Sequence, residues 1–161
     1  MSAVFKRRIV REKVLQILYA YEMNNENLMA LTKSVLGDVE EENDRKYGED
    51  LVNKVLIHKK DLDSKIEERV SNWEMGRIAL IDKLLLRMAI CEILHFSDIP
   101  PKVSINEAIE IAKVFSTAGS GKFINGILDA IFSDEKIAGR LTKTGRGLIE
   151  ETVSKNHTKT T

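Results

Sequence analysis

The apolar residues of this chain recur at helical spacing along most of its length. In the first segment Val10, Val14, Ile17 and Leu18 fall on one stripe, and we place a helix from about residue 5 to residue 23. No segment alternates apolar and polar residues in the way that a half-exposed strand does. The pattern therefore predicts an all-α protein of about six to seven helices.

Two further helices are predicted between residues 28 and 70. The first spans residues 28–36 and stops at Gly37, because glycine commonly ends a helix. Residues 38–50 carry seven acidic and two basic side chains, which we interpret as a solvated loop and helix start. A single long helix follows, and five apolar residues mark its inner face: Leu51, Val55, Leu62, Ile66 and Val70.

The second half of the chain begins after residues 72–76, which break the apolar pattern and form the predicted connection between two halves. A strongly apolar helix follows and ends before Pro100 and Pro101, because proline disfavours helical backbone in the residue before it. Ser104 and Glu107 fit a capping box, in which a serine hydroxyl and a glutamate three residues later bind free backbone amides. We therefore expect the next helix to begin at Ser104.

The last predicted helix carries Phe123 and Ile127 on its apolar face, and the apolar density falls beyond Phe132. We expect residues 133–161 to form a C-terminal extension that is partly disordered and dispensable for folding. The helical domain is accordingly placed at residues 1–132.

Composition narrows the class of protein. Acidic and basic residues balance at 25 each, so only the distribution of charge can point to a nucleic-acid partner. Cys91 is the only cysteine, which excludes an intramolecular disulfide or a cysteine zinc site and fits a reducing cytoplasm. No apolar stretch reaches the roughly 18 residues that span a membrane. We therefore expect a cytoplasmic protein that does not enter the membrane.

Candidate catalytic and metal-binding motifs fail on their spacing. Gly119, Gly121 and Lys122 resemble part of a phosphate-binding loop, but Ser116 stands at the position of its first glycine and Phe123 at that of its serine or threonine. The three histidines are far apart in sequence and lack the spacing of a helical metal pair. The sequence therefore predicts no enzyme, no metal site and no cofactor.

The most uneven distribution of charge lies near the N-terminus. Five basic residues oppose only Glu12 there: Lys6, Arg7, Arg8, Arg11 and Lys13. The three arginines fall beside the apolar stripe, and Tyr19 continues the same side of the helix. Guanidinium groups pair with phosphates and tyrosine can stack on an unpaired base, so this face is a candidate RNA surface. The alternative is an ordinary solvated helix end.

Four segments of the chain resemble the NusB family. They are residues 7–19, which open with the arginine-rich helix; residues 86–94; residues 98–113, which contain both prolines; and residues 120–129, which begin Ser-Gly-Lys-Phe-Ile-Asn-Gly. The order and spacing of these segments match the family from about residue 5 to residue 132.

The resemblance implies two packed helical bundles, near residues 5–72 and 76–132. It also implies a transcription antitermination factor that binds the boxA element of nascent ribosomal RNA. The implied partners are NusE, which is also a small-subunit ribosomal protein, and the RNA polymerase antitermination complex. The implied mechanism is assembly, in which basic side chains hold phosphates while aromatic or polar ones read unpaired bases.

Carried over residue by residue, the resemblance implies RNA contacts by seven side chains: Arg7, Arg8, Tyr19, Asp82, Phe115, Lys122 and Phe123. The charge pattern adds Arg11 to this set. Phe115 and Phe123 also fit the apolar stripes of their helices, so burial in the core is the alternative for both. Two positions depart from the family: Ile9 stands where a third basic residue is common, and Gly119 where an acidic or polar one is.

Two other functions stay open at this point. One is a helical protein-interaction module that lacks RNA binding, or whose RNA surface is masked in a homodimer. The other is the helical domain of an RNA methyltransferase, although no glycine-rich strand-and-helix unit follows residue 132. Phosphate contacts make affinity fall steeply with salt while a protein interface responds weakly, so salt dependence separates RNA binding from the first of these.

Overall fold

The computed structural model describes residues 2–25 and 27–150, and the regular structure of these residues is entirely helical. The elements are α1 (Ala3–Asn24), α2 (Leu28–Leu36), α3 (Glu42–Ile57), α4 (Lys59–Glu67), α5 (Asn72–Met75), α6 (Leu80–His95), α7 (Pro101–Phe115), α8 (Ser120–Ile137) and a short 3-10 helix (Gly145–Leu148). This confirms the predicted all-α class. In the described part of the chain, none of the helices is long and apolar enough to cross a membrane.

Local hydrogen bonds define both ends of α1. The Ser2 hydroxyl accepts a hydrogen bond from the Phe5 amide at 3.3 Å, which satisfies one of the free donors of the first turn. At the other end Asn25 adopts a left-handed conformation with φ 50°, and its amide donates to the Tyr21 carbonyl at 2.8 Å. Asparagine tolerates this conformation better than most residues, so the helix stops where its apolar stripe ends.

Helix α6 forms the centre of the protein. Its side chains are buried continuously from Leu84 to Ile93, so this helix is enclosed on all sides rather than along one stripe. It packs against α1, α3 and α4 from the first half of the chain and against α7 and α8 from the second. The hydrophobic core therefore runs continuously through α6.

The single long helix predicted after the acidic segment is in fact two helices. α3 begins at Glu42, inside the acidic run, and α4 begins at Lys59. His58 lies between them with φ −97° and ψ 8°, and its imidazole stacks on that of His95 with the ring centroids 3.9 Å apart. The apolar spacing continues through the break because both helices pack against α6. The prediction of one helix is wrong for this reason.

Helix α7 begins at Pro101, three residues before the predicted capping box. Proline suits the first position of a helix, because the amide hydrogen that it lacks has no partner there and its φ is already helical. Ser104 and Glu107 therefore lie inside α7, where both are buried and bind side chains of other helices. The predicted capping box is wrong at this position, and Ser71 and Glu74 form one at the start of α5.

The domain boundary expected at residue 132 falls inside α8, which continues to Ile137. Glu135 in this last part of the helix is buried, and its carboxylate binds Lys65 Nζ at 2.7 Å and Arg140 Nε at 2.8 Å. These contacts join α8 to α4 and to the segment that follows α8. The start of the expected extension therefore belongs to the folded body.

Lys143 extends this body by binding the end of α6. Its Nζ donates to the carbonyl oxygens of Glu92 and Phe96 at 3.0 and 2.6 Å, and each of these oxygens also accepts a hydrogen bond from a backbone amide. Burial lowers the pKa of Lys143 to about 8. A Cβ at Gly147 would lie 1.9 Å from the carbonyl oxygen of Ser97, so this close approach requires glycine. The rest of the expected extension, from residue 151, lies outside the described residues.

Candidate nucleic-acid interface

Each of the five basic side chains at the start of α1 pairs with a carboxylate. The pairs are Lys6 with Glu41, Arg7 with Asp44, Arg8 with Glu107, Arg11 with Glu92 and Lys13 with Asp38. Three of these carboxylates belong to the acidic run between residues 38 and 50. This run is therefore more than the solvated loop and helix start that we expected, because it neutralises much of the positive charge of α1.

Arg11 is buried and is not part of an exposed RNA surface, which corrects its assignment from the charge pattern. Its side chain is only 6% exposed, and its Nε and Nη2 both donate to the Glu92 carboxylate at 2.9 Å. The same carboxylate accepts hydrogen bonds from the Tyr47 hydroxyl at 2.5 Å and from the Ser104 hydroxyl at 2.8 Å. Arg11 therefore joins α1 to α6, in a network that also includes α3 and α7.

The buried network keeps its charges. Burial acts to raise the pKa of Glu92, but the Arg11 guanidinium outweighs this effect and the pKa of Glu92 is lowered. Burial likewise opposes the charge on Arg11, and the Glu92 carboxylate raises the pKa of Arg11 instead. Burial and the negative charge of Glu92 raise the pKa of Tyr47, so its hydroxyl remains a proton donor. The network is a structural ion pair whose hydrogen bonds satisfy both partners.

Arg7 and Arg8 remain partly exposed at the surface of α1. The Arg7 side chain is 32% exposed, donates from Nε to Asp44 at 3.0 Å, and lies 4.2 Å above the centre of the Tyr47 ring. The Arg8 side chain is 28% exposed and donates to both carboxylate oxygens of Glu107 at 2.7 and 3.2 Å. Glu107 is therefore a partner of Arg8 and not a helix cap, and both arginines are held with part of the guanidinium open to solvent.

Asp82, at the start of α6, binds the loop between α7 and α8. Its two carboxylate oxygens accept hydrogen bonds from the Ser116 hydroxyl at 2.6 Å and the Ser120 hydroxyl at 2.8 Å. Asp82 is only 7% exposed, and both of its oxygens are occupied. The direct RNA contact predicted for Asp82 does not fit this geometry, because its carboxylate fixes the loop from beneath.

Phe115 at the end of α7 and Lys122 and Phe123 in the first turn of α8 flank the loop that Asp82 holds. Phe115 is 47% exposed and Phe123 is 38% exposed, so the alternative of burial in the core is wrong for both rings. Lys122 is exposed as well. Phe115 comes directly before Ser116, and Lys122 and Phe123 come two and three residues after Ser120. The two serines thus tie the helix ends that carry all three side chains to Asp82.

The loop lies at the same end of the protein as the first turns of α1. Arg8 of α1 contacts Glu107 of α7. Arg11 lies three residues farther along α1, and Ser104 lies three residues earlier in α7. Arg11 and Ser104 both bind Glu92. Helices α1 and α7 are therefore antiparallel where they meet, and the C-terminal end of α7 lies toward the N-terminal end of α1. The structure thus brings Arg7 and Arg8 to the same end as the loop.

Tyr19 is exposed but lies away from this end of the protein. Its side chain is 40% exposed. It follows Arg11 by eight residues, which places it about 12 Å farther along α1, in the direction opposite to the loop. A base that stacks on Tyr19 would be several nucleotides from one that stacks on Phe115 or Phe123.

Sequence reasoning missed the residues that hold this surface in place. Glu41 and Asp44 bind cations that precede them by 35 and 37 residues, and Ser116 and Ser120 bind a carboxylate more than thirty residues earlier. No local spacing connects such partners. The only signal was the presence of an acidic run in a chain with a basic helix start.

Comparison with known proteins identifies the family. Residues 8–133 match the model of the NusB family. The transcription antitermination protein NusB of Salinibacter ruber is 48% identical over 147 residues, which cover 89% of this chain and 91% of that protein. The protein of the same name from Chloroherpeton thalassium is 44% identical over 149 residues, which cover 91% of this chain and 71% of that protein.

Solved structures share the fold. NusB of T. maritima superimposes with a TM-score of 0.74 at 32% identity, over 82% of this chain and 96% of that one. A crystal structure of the antitermination factors NusB and NusE in complex with dsRNA matches with a TM-score of 0.72 at 24% identity, over 83% of this chain and 99% of that one. The chain thus has the all-helical fold of these NusB structures. The chain belongs to the NusB family.

Proposed function

We propose that this chain is a transcription antitermination factor that binds the boxA element of nascent ribosomal RNA together with NusE. The bound complex acts within the RNA polymerase antitermination complex. The observation that carries this proposal is the end of the protein where partly exposed Arg7 and Arg8 lie on the same side as the loop with Phe115, Lys122 and Phe123. Family membership supports it, since the relatives are named antitermination proteins.

The exposed side chains suit a single RNA strand. Arg7, Arg8 and Lys122 are cations that can hold phosphates, and guanidinium groups do so with two parallel hydrogen bonds. Phe115 and Phe123 offer aromatic faces on which unpaired bases stack, each such contact contributing about 1–3 kcal/mol. Tyr19 extends the surface along α1. Asp82 and Arg11 act as positioning residues, because the first fixes the loop and the second fixes α1.

A titration of boxA RNA with and without saturating NusE, repeated over a series of salt concentrations, tests this function. We expect weak binding by the chain alone and binding that is about 5- to 150-fold tighter with NusE, which is the usual range of coupling between two sites. Affinity should fall steeply as salt rises, because phosphate contacts release counterions.

Equal RNA affinity with and without NusE would remove the cooperative model. RNA affinity that does not depend on salt would contradict the proposed phosphate contacts. Absence of RNA binding under both conditions would favour a protein-interaction module or a homodimer that masks this surface. A size measurement on the same samples distinguishes these two, because a homodimer doubles the mass.

A further inference from the structure

Two carboxylates of the acidic run occupy the outermost cations of α1. Glu41 binds Lys6, and Asp44 binds Arg7 Nε at 3.0 Å. Both cations belong to the first turns of α1, where the chain offers its positive charge to solvent. A carboxylate and a phosphate present the same kind of anionic oxygen to a cation. A phosphate that binds Lys6 or Arg7 must therefore compete with an anion that the protein already supplies.

Contacts other than the ion pairs with Lys6 and Arg7 hold the acidic segment in this position. Glu42 and Asp44 lie in the first turn of α3, where the positive end of the helix dipole favours acidic side chains. Arg45 Nη1 donates to the carbonyl of Val39 at 3.0 Å and thereby ties the preceding loop to α3. The carboxylates therefore stay beside α1 even when a cation releases them.

The pairs of α1 differ in how readily they can exchange partners. Lys6 and Glu41 are 41% and 56% exposed, so water reaches both groups and their ion pair is weak. The Arg7 pair is less open, and the Arg8 pair has two hydrogen bonds to a carboxylate that is 5% exposed. Arg11 and Glu92 are closed to solvent. Exchange with an external anion is therefore easiest at Lys6 and Arg7.

We propose that Glu41 and Asp44 are internal competitors of RNA phosphate, which set the RNA affinity of this chain by occupying Lys6 and Arg7. This inference rests on the proposed function. RNA binds the first turns of α1 by exchanging these carboxylates for two phosphates. The released carboxylates remain next to the bound strand, where they repel it and retain cations from solution. Both effects lower the affinity and make it less dependent on salt than the count of basic residues suggests.

The test is a double variant in which Glu41→Gln and Asp44→Asn remove the two charges and keep the shapes of the side chains. The matched control is Glu42→Gln with Glu49→Gln, which makes the same change in net charge with two exposed acidic residues of α3. Each protein is titrated with boxA RNA across a salt series, and its thermal midpoint is measured to confirm that it is folded. A third protein, with Arg7→Ala and Arg8→Ala, reports whether α1 binds RNA at all.

We expect the double variant to bind RNA about 5- to 25-fold more tightly than the wild type at low salt, with a steeper salt dependence. The range follows from a contact between unit charges at about 4 Å in water, which changes an equilibrium constant about fivefold. The control should change affinity by less than half as much on a logarithmic scale. Weaker binding by the double variant would overturn the inference, because the carboxylates would then be orienting the cations for RNA.

Equal gains in the double variant and the control would also overturn it, since general net charge would then be responsible. These results are distinguishable from a failure of the proposed function. If the wild type, the double variant and the Arg7 and Arg8 variant all fail to bind RNA, the function itself is wrong. If the wild type binds RNA but the double variant binds it no more tightly, the proposed function stands and the proposed competition with phosphate is wrong.

Discussion

Arg11 of α1 and Glu92 of α6 form a bidentate ion pair beneath the basic surface, with both nitrogen–oxygen distances at 2.9 Å. The pair fixes the rotation of α1, so that Arg7 and Arg8 face outward while Arg11 faces the core. Tyr47 and Ser104 bind the same carboxylate, so four helices meet at one group. The RNA surface that we propose therefore depends on the buried Arg11–Glu92 pair, which RNA does not contact.

Replacing Arg11 with methionine should destabilise the protein strongly. The substitution leaves Glu92 buried without its cation, and breaking a buried ion pair in this way costs about 3–5 kcal/mol. Urea unfolding at neutral pH measures the loss. Lys59→Met is the control, because Lys59 and Glu22 form an exposed pair for which we expect a change below about 1 kcal/mol. Similar losses of unfolding free energy in the two variants would show that the buried pair contributes no more to stability than the exposed pair.

Replacing Arg7 and Arg8 together with alanine should weaken RNA binding. Each lost phosphate contact lowers the slope of log affinity against log salt by about one unit. The double variant Lys59→Ala and Lys60→Ala removes the same charge from α4 and serves as the control. If both affinity and slope match those of the wild type, α1 is not a phosphate-binding element, although the fold assignment is unaffected.

Ser120→Ala should weaken RNA binding even though Ser120 is buried. Loss of its hydroxyl removes one of two donors to Asp82 and loosens the start of α8, which carries Lys122 and Phe123. Asp82→Ala removes both hydrogen bonds and should have a larger effect in the same direction. Asp129→Asn, on the exposed side of α8, is the control in an RNA gel-shift. An effect of Asp82→Ala without any effect of Ser120→Ala would indicate a direct RNA contact by Asp82.

Glu135 should make stability depend on pH in the acid range. The hydrogen bond from Arg140, together with Lys65, lowers the pKa of Glu135 from 4.5 to about 2. Because the folded-state pKa is depressed, the carboxylate stabilises the fold fully above pH 4.5, and this contribution is lost as the pH falls toward 2.

We therefore expect Glu135→Gln to cost about 2 kcal/mol at pH 7, a value reduced by the solvent exposure of Arg140. The difference from wild type should shrink to near zero at about pH 2. Urea unfolding of both proteins at several pH values measures it. A difference that is constant with pH would mean that Glu135 acts through packing and not through its charge.

Two truncations should separate the folded part of the C-terminal segment from the rest. A chain that ends after Thr144 keeps Arg140 and Lys143, so we expect its thermal midpoint to stay close to that of the full chain. A chain that ends after Gly139 loses Arg140, one of the two partners of Glu135, and Lys143, which binds the end of α6, so its midpoint should fall by several degrees. Equal midpoints for the two truncations would contradict this role for the segment.

The apolar pattern predicted most of the helices because helical spacing is a local property. The predicted bounds of α1 and α2 lie within two residues of those observed, whereas the exposure of Phe115 and Phe123 was left open by the sequence and is given by the structure. The break at His58 escaped detection because α3 and α4 pack on the same helix, so the apolar spacing passes through it unchanged.

The candidate site was predictable only as a set of residue types. Arg7 and Arg11 are both basic residues beside the same apolar stripe of α1. Only Arg11 is buried, because it pairs with Glu92, which is far away in sequence. The role of Asp82 is equally non-local, since it depends on two serines of a distant loop. Partners separated by 34 residues or more leave no periodic trace in a single sequence.

The bond from Lys143 to the end of α6 has a consequence for biosynthesis. A chain grows from its N-terminus, so the side chains that we assign to RNA, which end at Phe123, have all been made before Lys143 exists. At that moment the carbonyl oxygens of Glu92 and Phe96 have their backbone donors but not the ammonium group of Lys143. The contacts that join Lys143 to the end of α6 therefore form only after every side chain of the proposed RNA surface has been made.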